Sequence, residues 1–192
     1  MRYYFDTEFN ENVEPIDIIS IGIVAEDGRE FYAVNQGYEM GHRFAENPKT
    51  RDDYPSLWSC NDWVKKNVFP HLYLGEENMV TRIGGLSFLK ESVVEFVGPD
   101  PRPEFWAYYG TYDWYLLTRW FKGFENMPSK WPHVCYDLHQ YARHLGAHRN
   151  LPPKLEPAHN ALIDARWTKL AFEKVKEFRN LNVPYTPGSI WP

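Results

Sequence analysis

The stretch YYFDTEFN, Tyr3 to Asn10, sets two carboxylates into a run of aromatic residues. Aromatic residues in such density read as a strand entering a core. Side chains two apart on a strand point to the same face, so Asp6 and Glu8 stand side by side on one face of that strand. Two like charges in close reach and partly out of water are costly unless a positive group sits between them. The strand therefore poses a question of chemistry as well as of fold.

Working outward, IDIISIGIVA, Ile16 to Ala25, reads as a second and stronger strand, rich in β-branched residues. Asp27-Gly28 suits a type I′ turn, and EFYAVNQ, Glu30 to Gln36, reads as a third strand. Three strands with short connections predict an antiparallel meander. Gly37 to Pro55 is polar and turn-rich, without a period, and reads as an ordered loop. Ser59 suits the cap of a helix starting near Cys60 and ending before Pro70. Leu86, Leu89, Val93, Phe96 and Val97 keep a helical spacing. EFWAYY reads as a short buried strand, and TYDWYLLTRWF as a helix capped by Thr111. A short strand at Val134 to Tyr136 leads to Asp137, a good cap for LHQYARHLG. HNALIDARWTKLAFEKVKEF is the longest helical pattern, with Asn160 as its cap, and the tail NVPYTPGSIWP is too rich in proline for helix. The expected architecture is α/β: one mixed sheet, a three-stranded antiparallel meander plus parallel strands, flanked by helices. Residues 1–180 read as a single domain and 181–192 as an extended tail.

At 192 residues the chain suffices for one domain with a sizeable core. It carries no internal repeat, no dinucleotide fingerprint, no P-loop and no apolar run long enough for a bilayer. The N-terminus lacks the pattern of a signal peptide, so the expected location is cytoplasmic, without membrane partners. Cys60 and Cys135 lie far apart and outside any C-x-x-C pair, and read as reduced thiols rather than zinc ligands. The net charge of −5 argues against gripping duplex nucleic acid with a broad basic surface. It leaves room for an enzyme that takes a strand end in an acidic site neutralised by metal.

In an α/β sheet, functional groups gather at strand ends and at the starts of the following helices. Asp6, Glu8, Asp113 and Asp164 all fall in such places. Acids favour helix N-termini for ordinary reasons, which alone accounts for Asp113. Asp164 stands among Leu162, Ile163 and Ala165, and His159 lies just ahead of its helix. Four hard oxygen donors without cysteine suit Mg²⁺ or Mn²⁺. A histidine beside them suits taking a proton from water. His144 and His148, four apart, have Gly146 between them and no third ligand near in sequence, and read as a solvated helix end. The bases of the last helix read as its solvent face, with phosphate contact as the rival reading.

These residues resemble the DEDDh exonuclease superfamily. FDTEF resembles its first motif, YYGTYDW its second, and HNALIDA its third, H-x-A-x-x-D-A, in the same order and bracketing Asp6 to Asp164. Where the second motif often has Asn four residues before its Asp, this chain has Tyr109. The compact size and the aromatic TYDW segment look closest to a small group of actinobacterial and phage exoribonucleases. The resemblance implies an RNase H-like fold and 3′→5′ hydrolysis of RNA to nucleoside 5′-monophosphates. It also implies single-stranded RNA or a 3′ overhang as partner, and a homodimer.

On that basis the expected site holds two Mg²⁺ or Mn²⁺ ions about 3.5–4 Å apart. Asp6 would bridge them, Glu8 and Asp164 would complete the first position, Asp113 would hold the second, and His159 would be general base. Phe9, whose backbone adjoins the acids, and Trp58, at a loop-to-helix junction, are the candidates for stacking on the terminal base; for both, core packing is the rival reading. Other readings of the chain are a DNA exonuclease of proofreading type and a catalytically silent nucleic-acid-binding module.

Overall fold

A computed structural model describes residues 1–38, 60–72 and 81–182. Its centre is a six-stranded sheet of order β4-β3-β2-β1-β5-β6. The strands are β1 (Arg2–Asn10), β2 (Asp17–Ala25), β3 (Glu30–Asn35), β4 (Thr81–Gly84), β5 (Glu104–Ala107) and β6 (Tyr136–Asp137). β1, β2 and β3 pair antiparallel, while β4 joins β3, β5 joins β1 and β6 joins β5 in parallel. The described helices are α1 (Asp62–Asn67), α2 (Leu86–Val97), α3 (Thr111–Arg119), α4 (Leu138–His144) and α5 (Ala161–Asn182). This is the α/β mixed sheet that the sequence predicts, and it is compatible with the RNase H-like fold that the resemblance implies.

Alternation along β1 divides the core. Tyr3 and Phe5 face a layer built from Leu89, Val93 and Val97 of α2 and Trp114 and Leu117 of α3. Tyr4 faces the other way and joins Trp106, Tyr141 of α4 and Trp167 and Phe172 of α5. A smaller cluster seats α1 and the turn after it, through Val64, Val68 and Leu72, against Ile19 of β2. Burying one large apolar or aromatic side chain is worth about 1.5–3 kcal/mol, so these layers supply the bulk of the stability.

Local expectations are met in part. Asn160 caps α5: its Oδ1 accepts from the N–H groups of Leu162 and Ile163 at 3.1 Å. Asp137 caps α4 by accepting from Gln140 N–H at 2.8 Å. The β2–β3 turn is not type I′, because only Gly28 has a positive φ, 93°. Gly28 N–H reaches Ala25 O and Ala25 N–H reaches Arg29 O, a type I turn closed by a glycine bulge. α1 starts two residues later than Cys60, with Asn61 accepting from Val64 N–H at 2.8 Å. Thr111 is the first helical residue of α3 rather than its cap, which falls at Gly110. β3 ends at Asn35, one residue short of Gln36. α5 runs through Asn182, so Leu181 and Asn182 belong to the helix and not to the tail. Most of the Gly37–Pro55 loop, and Ser59, lie outside the described residues.

Candidate metal centre and active site

β1 and β5 run parallel, with Tyr4 level with Trp106. β5 stops at Ala107, so the second half of β1 runs on past its neighbour. Asp6 and Glu8 lie on that half. They share the face of Tyr4, the face covered by α5.

Gly22 is what brings α5 to them. It pairs with Asp6 across the β1–β2 ladder. A Cβ on Gly22 would lie 2.3 Å from Leu162 N and Cα, so only a glycine lets the first turn of α5 rest on the sheet. The preceding loop is tied down as well. The Asn160 side-chain amide donates to His71 O at 2.7 Å, and Tyr32 O–H donates to Leu72 O at 3.0 Å. With the helix start fixed, Asp164 in its first turn meets the strand acids.

Asp6, Glu8 and Asp164 each offer a carboxylate oxygen, and the three atoms lie within 4.8 Å of one another. Glu8 and Asp164 are buried and Asp6 is half-buried. Burial pushes the Asp6 carboxyl well above the usual range, and the charges of Asp113, Glu8 and Asp164 push it further. Burial, then the charges of Asp164 and Asp113, push Glu8 up to about 8. A cluster that resists ionisation in the bare protein suits a site completed by a cation. Three hard oxygen donors without sulfur fit Mg²⁺ or Mn²⁺.

Asp113 stands beside this trio rather than in it. Its Oδ1 accepts from both the backbone N–H and the hydroxyl of Thr7, at 2.8 and 2.6 Å. Burial raises its carboxyl to about 6, against the lowering effect of those two bonds. Thr7 thus anchors the start of α3 to β1 and fixes Asp113 next to Asp6.

His159 reaches the centre through its backbone. Its N–H donates to Asp164 Oδ2 at 2.9 Å, its φ is 65°, and its ring packs edge-on against exposed Trp63 at 4.7 Å. The imidazole is not among the groups of the trio. Phe9 is half-buried, and its ring lies 5.3 Å from that of Tyr112, which is also half exposed. A register shift between Glu8 and Phe9 leaves Ile19 of β2 as the extra residue in the β1–β2 ladder at this point. Trp58 lies outside the described residues.

Lys154 is the residue that sequence reasoning misses. Its ammonium lies 3.1 Å from Asp164 Oδ1 and 3.7 Å from the centre of the Trp167 ring. It sits in the proline-flanked LPPKLEP loop, where no periodicity marks a functional position. Among the described residues it sets one positive charge against the three carboxylates of the trio. The bases of α5 behave otherwise: Arg166 forms a paired contact with Glu30, and Lys169 donates to Ala25 O at 2.9 Å. Those two bind the β2–β3 hairpin to α5. Cys60 and Cys135 are free thiols, both pushed up to about 12 by burial and hence unreactive as thiolates near neutrality. No helix among the described residues is long and apolar enough to cross a membrane.

Comparison with known proteins adds an independent line. Residues 1–176 match the family model of the 3'-5' exoribonuclease Rv2179c-like domain. Two relatives from Mycobacterium tuberculosis, 3'-5' exoribonuclease Rv2179c of strain H37Rv and 3'-5' exoribonuclease MT2234.1 of strain CDC 1551, are each 32% identical over 166 residues. Those residues cover 86% of this chain and 88% of each relative. With the family model spanning nearly the whole of the described fold, the chain belongs to the Rv2179c-like 3'-5' exoribonuclease domain family.

Proposed function

We propose that this protein is a divalent-metal-dependent 3′→5′ exoribonuclease that releases nucleoside 5′-monophosphates. The observation that carries the reading is the convergence of Asp6, Glu8 and Asp164 from two distant parts of the chain. Family membership gives the direction and the RNA substrate.

Asp6, Glu8 and Asp164 are the residues that would hold a first Mg²⁺ or Mn²⁺, and Asp113 with Asp6 a second. Bound there, such ions supply positive charge to the phosphate oxygens and acidify water. The chain's own groups do the rest. Thr7 keeps Asp113 from turning away. Phe9 and Tyr112 present a half-exposed aromatic surface next to the acids, suited to the face of the terminal base without sequence preference. His159 accepts the proton of the attacking water. Water oxygen bonds to phosphorus, the bond to the 3′ oxygen of the preceding nucleotide breaks, and that oxygen is protonated. The positive φ of His159 and the N–H bond to Asp164 hold the residue beside the reaction site. Its ring rests edge-on against Trp63. A homodimeric working form and a cytoplasmic location complete the proposal.

Incubation of 5′-labelled RNA and DNA oligomers with Mg²⁺, Mn²⁺ or chelator tests this directly. The expected result is an RNA ladder shortening from the 3′ end, lost with chelator and in His159→Ala. Equal shortening of DNA would favour a proofreading-type exonuclease. Absence of cleavage under every divalent ion would leave a nucleic-acid-binding module.

A further inference from the structure

Tyr109 occupies a costly position. Its φ is 59°, in the left-handed region where a bulky aromatic residue is an outlier. The conformation is held from both sides: Thr111 N–H donates to Tyr109 O at 2.8 Å and Gly110 N–H to Asp137 Oδ2 at 3.0 Å. The outcome is a large ring that is 59% exposed and so gains little from burial. That ring lies 4.3 Å from the His139 ring, tilted by 35°.

The pair is connected to the acid centre by direct contacts. Tyr109 touches Tyr108 at 4.6 Å, and Tyr108 lies edge-on to Trp167 at 4.8 Å. The Lys154 ammonium sits over both Trp167 and Tyr108, at 3.7 and 5.2 Å from their centres, and ends 3.1 Å from Asp164. A path thus leads from the acids to an exposed cation and on to a pair of flat rings, exposed Tyr109 and half-buried His139. A cation matches a phosphate and flat rings match a base, in the order in which a single strand presents them. Phe9 and Tyr112, at the far end of β1, are a separate aromatic surface.

We propose that Tyr109 and His139 form a second base-stacking platform, for a nucleotide upstream of the scissile bond, with Lys154 holding the phosphate between. This rests on the exoribonuclease reading and extends it: the enzyme gains affinity from single-stranded RNA beyond its terminal residues. Stacking on one base, by alanine substitution, is worth about 5- to 150-fold in binding.

The test compares kcat/KM on a five-nucleotide and a two-nucleotide RNA. The five-to-two ratio is well above one in the unaltered protein, and falls about tenfold or more in Tyr109→Ala and His139→Ala. Tyr109→Trp keeps the ratio. Tyr109→Gly loses it while melting no lower than the parent, since glycine relieves the backbone; a purely structural Tyr109 would not separate the two readouts. Should the unaltered protein cleave no RNA, the exoribonuclease reading fails by itself. The platform is then judged by fluorescence anisotropy of a labelled five-nucleotide RNA in Ca²⁺, with weaker binding by Tyr109→Ala expected. An unchanged ratio, or unchanged binding in that second assay, overturns the proposal. So does a Tyr109→Ala protein whose only change is its sedimentation, which would assign the rings to contact with a second copy of the chain.

Discussion

The two faces of β1 carry opposite chemistry. On one, Tyr3 and Phe5 pack against Phe105 and Trp114, stacked or edge-on, in a mainly apolar layer under α2 and α3. On the other, Tyr4 gives way within two residues to Asp6 and Glu8, facing Asp164. The first face stabilises the fold in the absence of any ligand. The second opposes it, because like charges are held together in partial burial. A single strand carries both, and the aromatic side offsets what the acidic side costs. The contrast implies that substitutions in the layers on the two faces will separate stability from activity.

The sharpest separation is expected from Asp6→Asn, which keeps shape and removes charge. Its kcat should fall by about 10²–10³-fold, the scale seen when preorganised charge stabilisation is lost. The melting temperature of the metal-free protein should stay level or rise. Phe105→Ala should do the reverse. Its ring contacts Tyr3, Phe5, Trp114 and Trp131, and deleting it should cost about 3–5 kcal/mol in denaturant unfolding. Its kcat per folded molecule should fall far less than that of Asp6→Asn.

Gly22→Ala sharpens the comparison from between the faces. The added methyl would meet the backbone of Leu162 and displace the start of α5. Overpacking of this kind costs about 1–3 kcal/mol, and a shift of Asp164 by about 1 Å is worth about 10²-fold in rate. Stability and kcat should therefore drop together, unlike in either preceding variant.

The smallest effect is a pH dependence confined to the acidic face. Glu8 titrates near 4.5 when unfolded and about 8 when folded, and Asp6 and Asp113 are raised as well. The folded state therefore binds more protons across this window, and stability falls as pH rises. The metal-free protein should be most stable below about pH 4.5 as far as these groups go, and should lose that contribution progressively up to about pH 8. Melting curves at saturating Mg²⁺ should show a flatter dependence, because the cation favours the ionised carboxylates.

Much of this was legible in the sequence for identifiable reasons. The meander was readable because β1 and β2 are long and rich in aromatic and β-branched residues. α2 and α5 were readable from period, and the caps Asn160 and Asp137 from side-chain chemistry. Asp6, Glu8 and Asp164 stand out in the sequence because acids in apolar company are expensive, and the fold brings the three together. β4 was not seen: TRIG is a four-residue edge strand with an arginine and a glycine, too short to show alternation. Lys154 gave no signal, since its importance arises only when its loop folds back on Trp167. The pairing of Tyr109 with His139, thirty residues apart, depends on a backbone conformation that composition does not reveal. His159 stands out by its place just ahead of α5, but its ring rests on Trp63, a contact between segments that no spacing predicts.

Isothermal titration of Mg²⁺ or Mn²⁺ into the protein and into Asp6→Asn tests the central claim most directly. The three converging carboxylates predict saturable binding in the parent, accompanied by a rise in melting temperature, with both effects lost in the variant. Equal binding and equal thermal shifts in the two proteins would mean that the acids of β1 and α5 do not hold the metal.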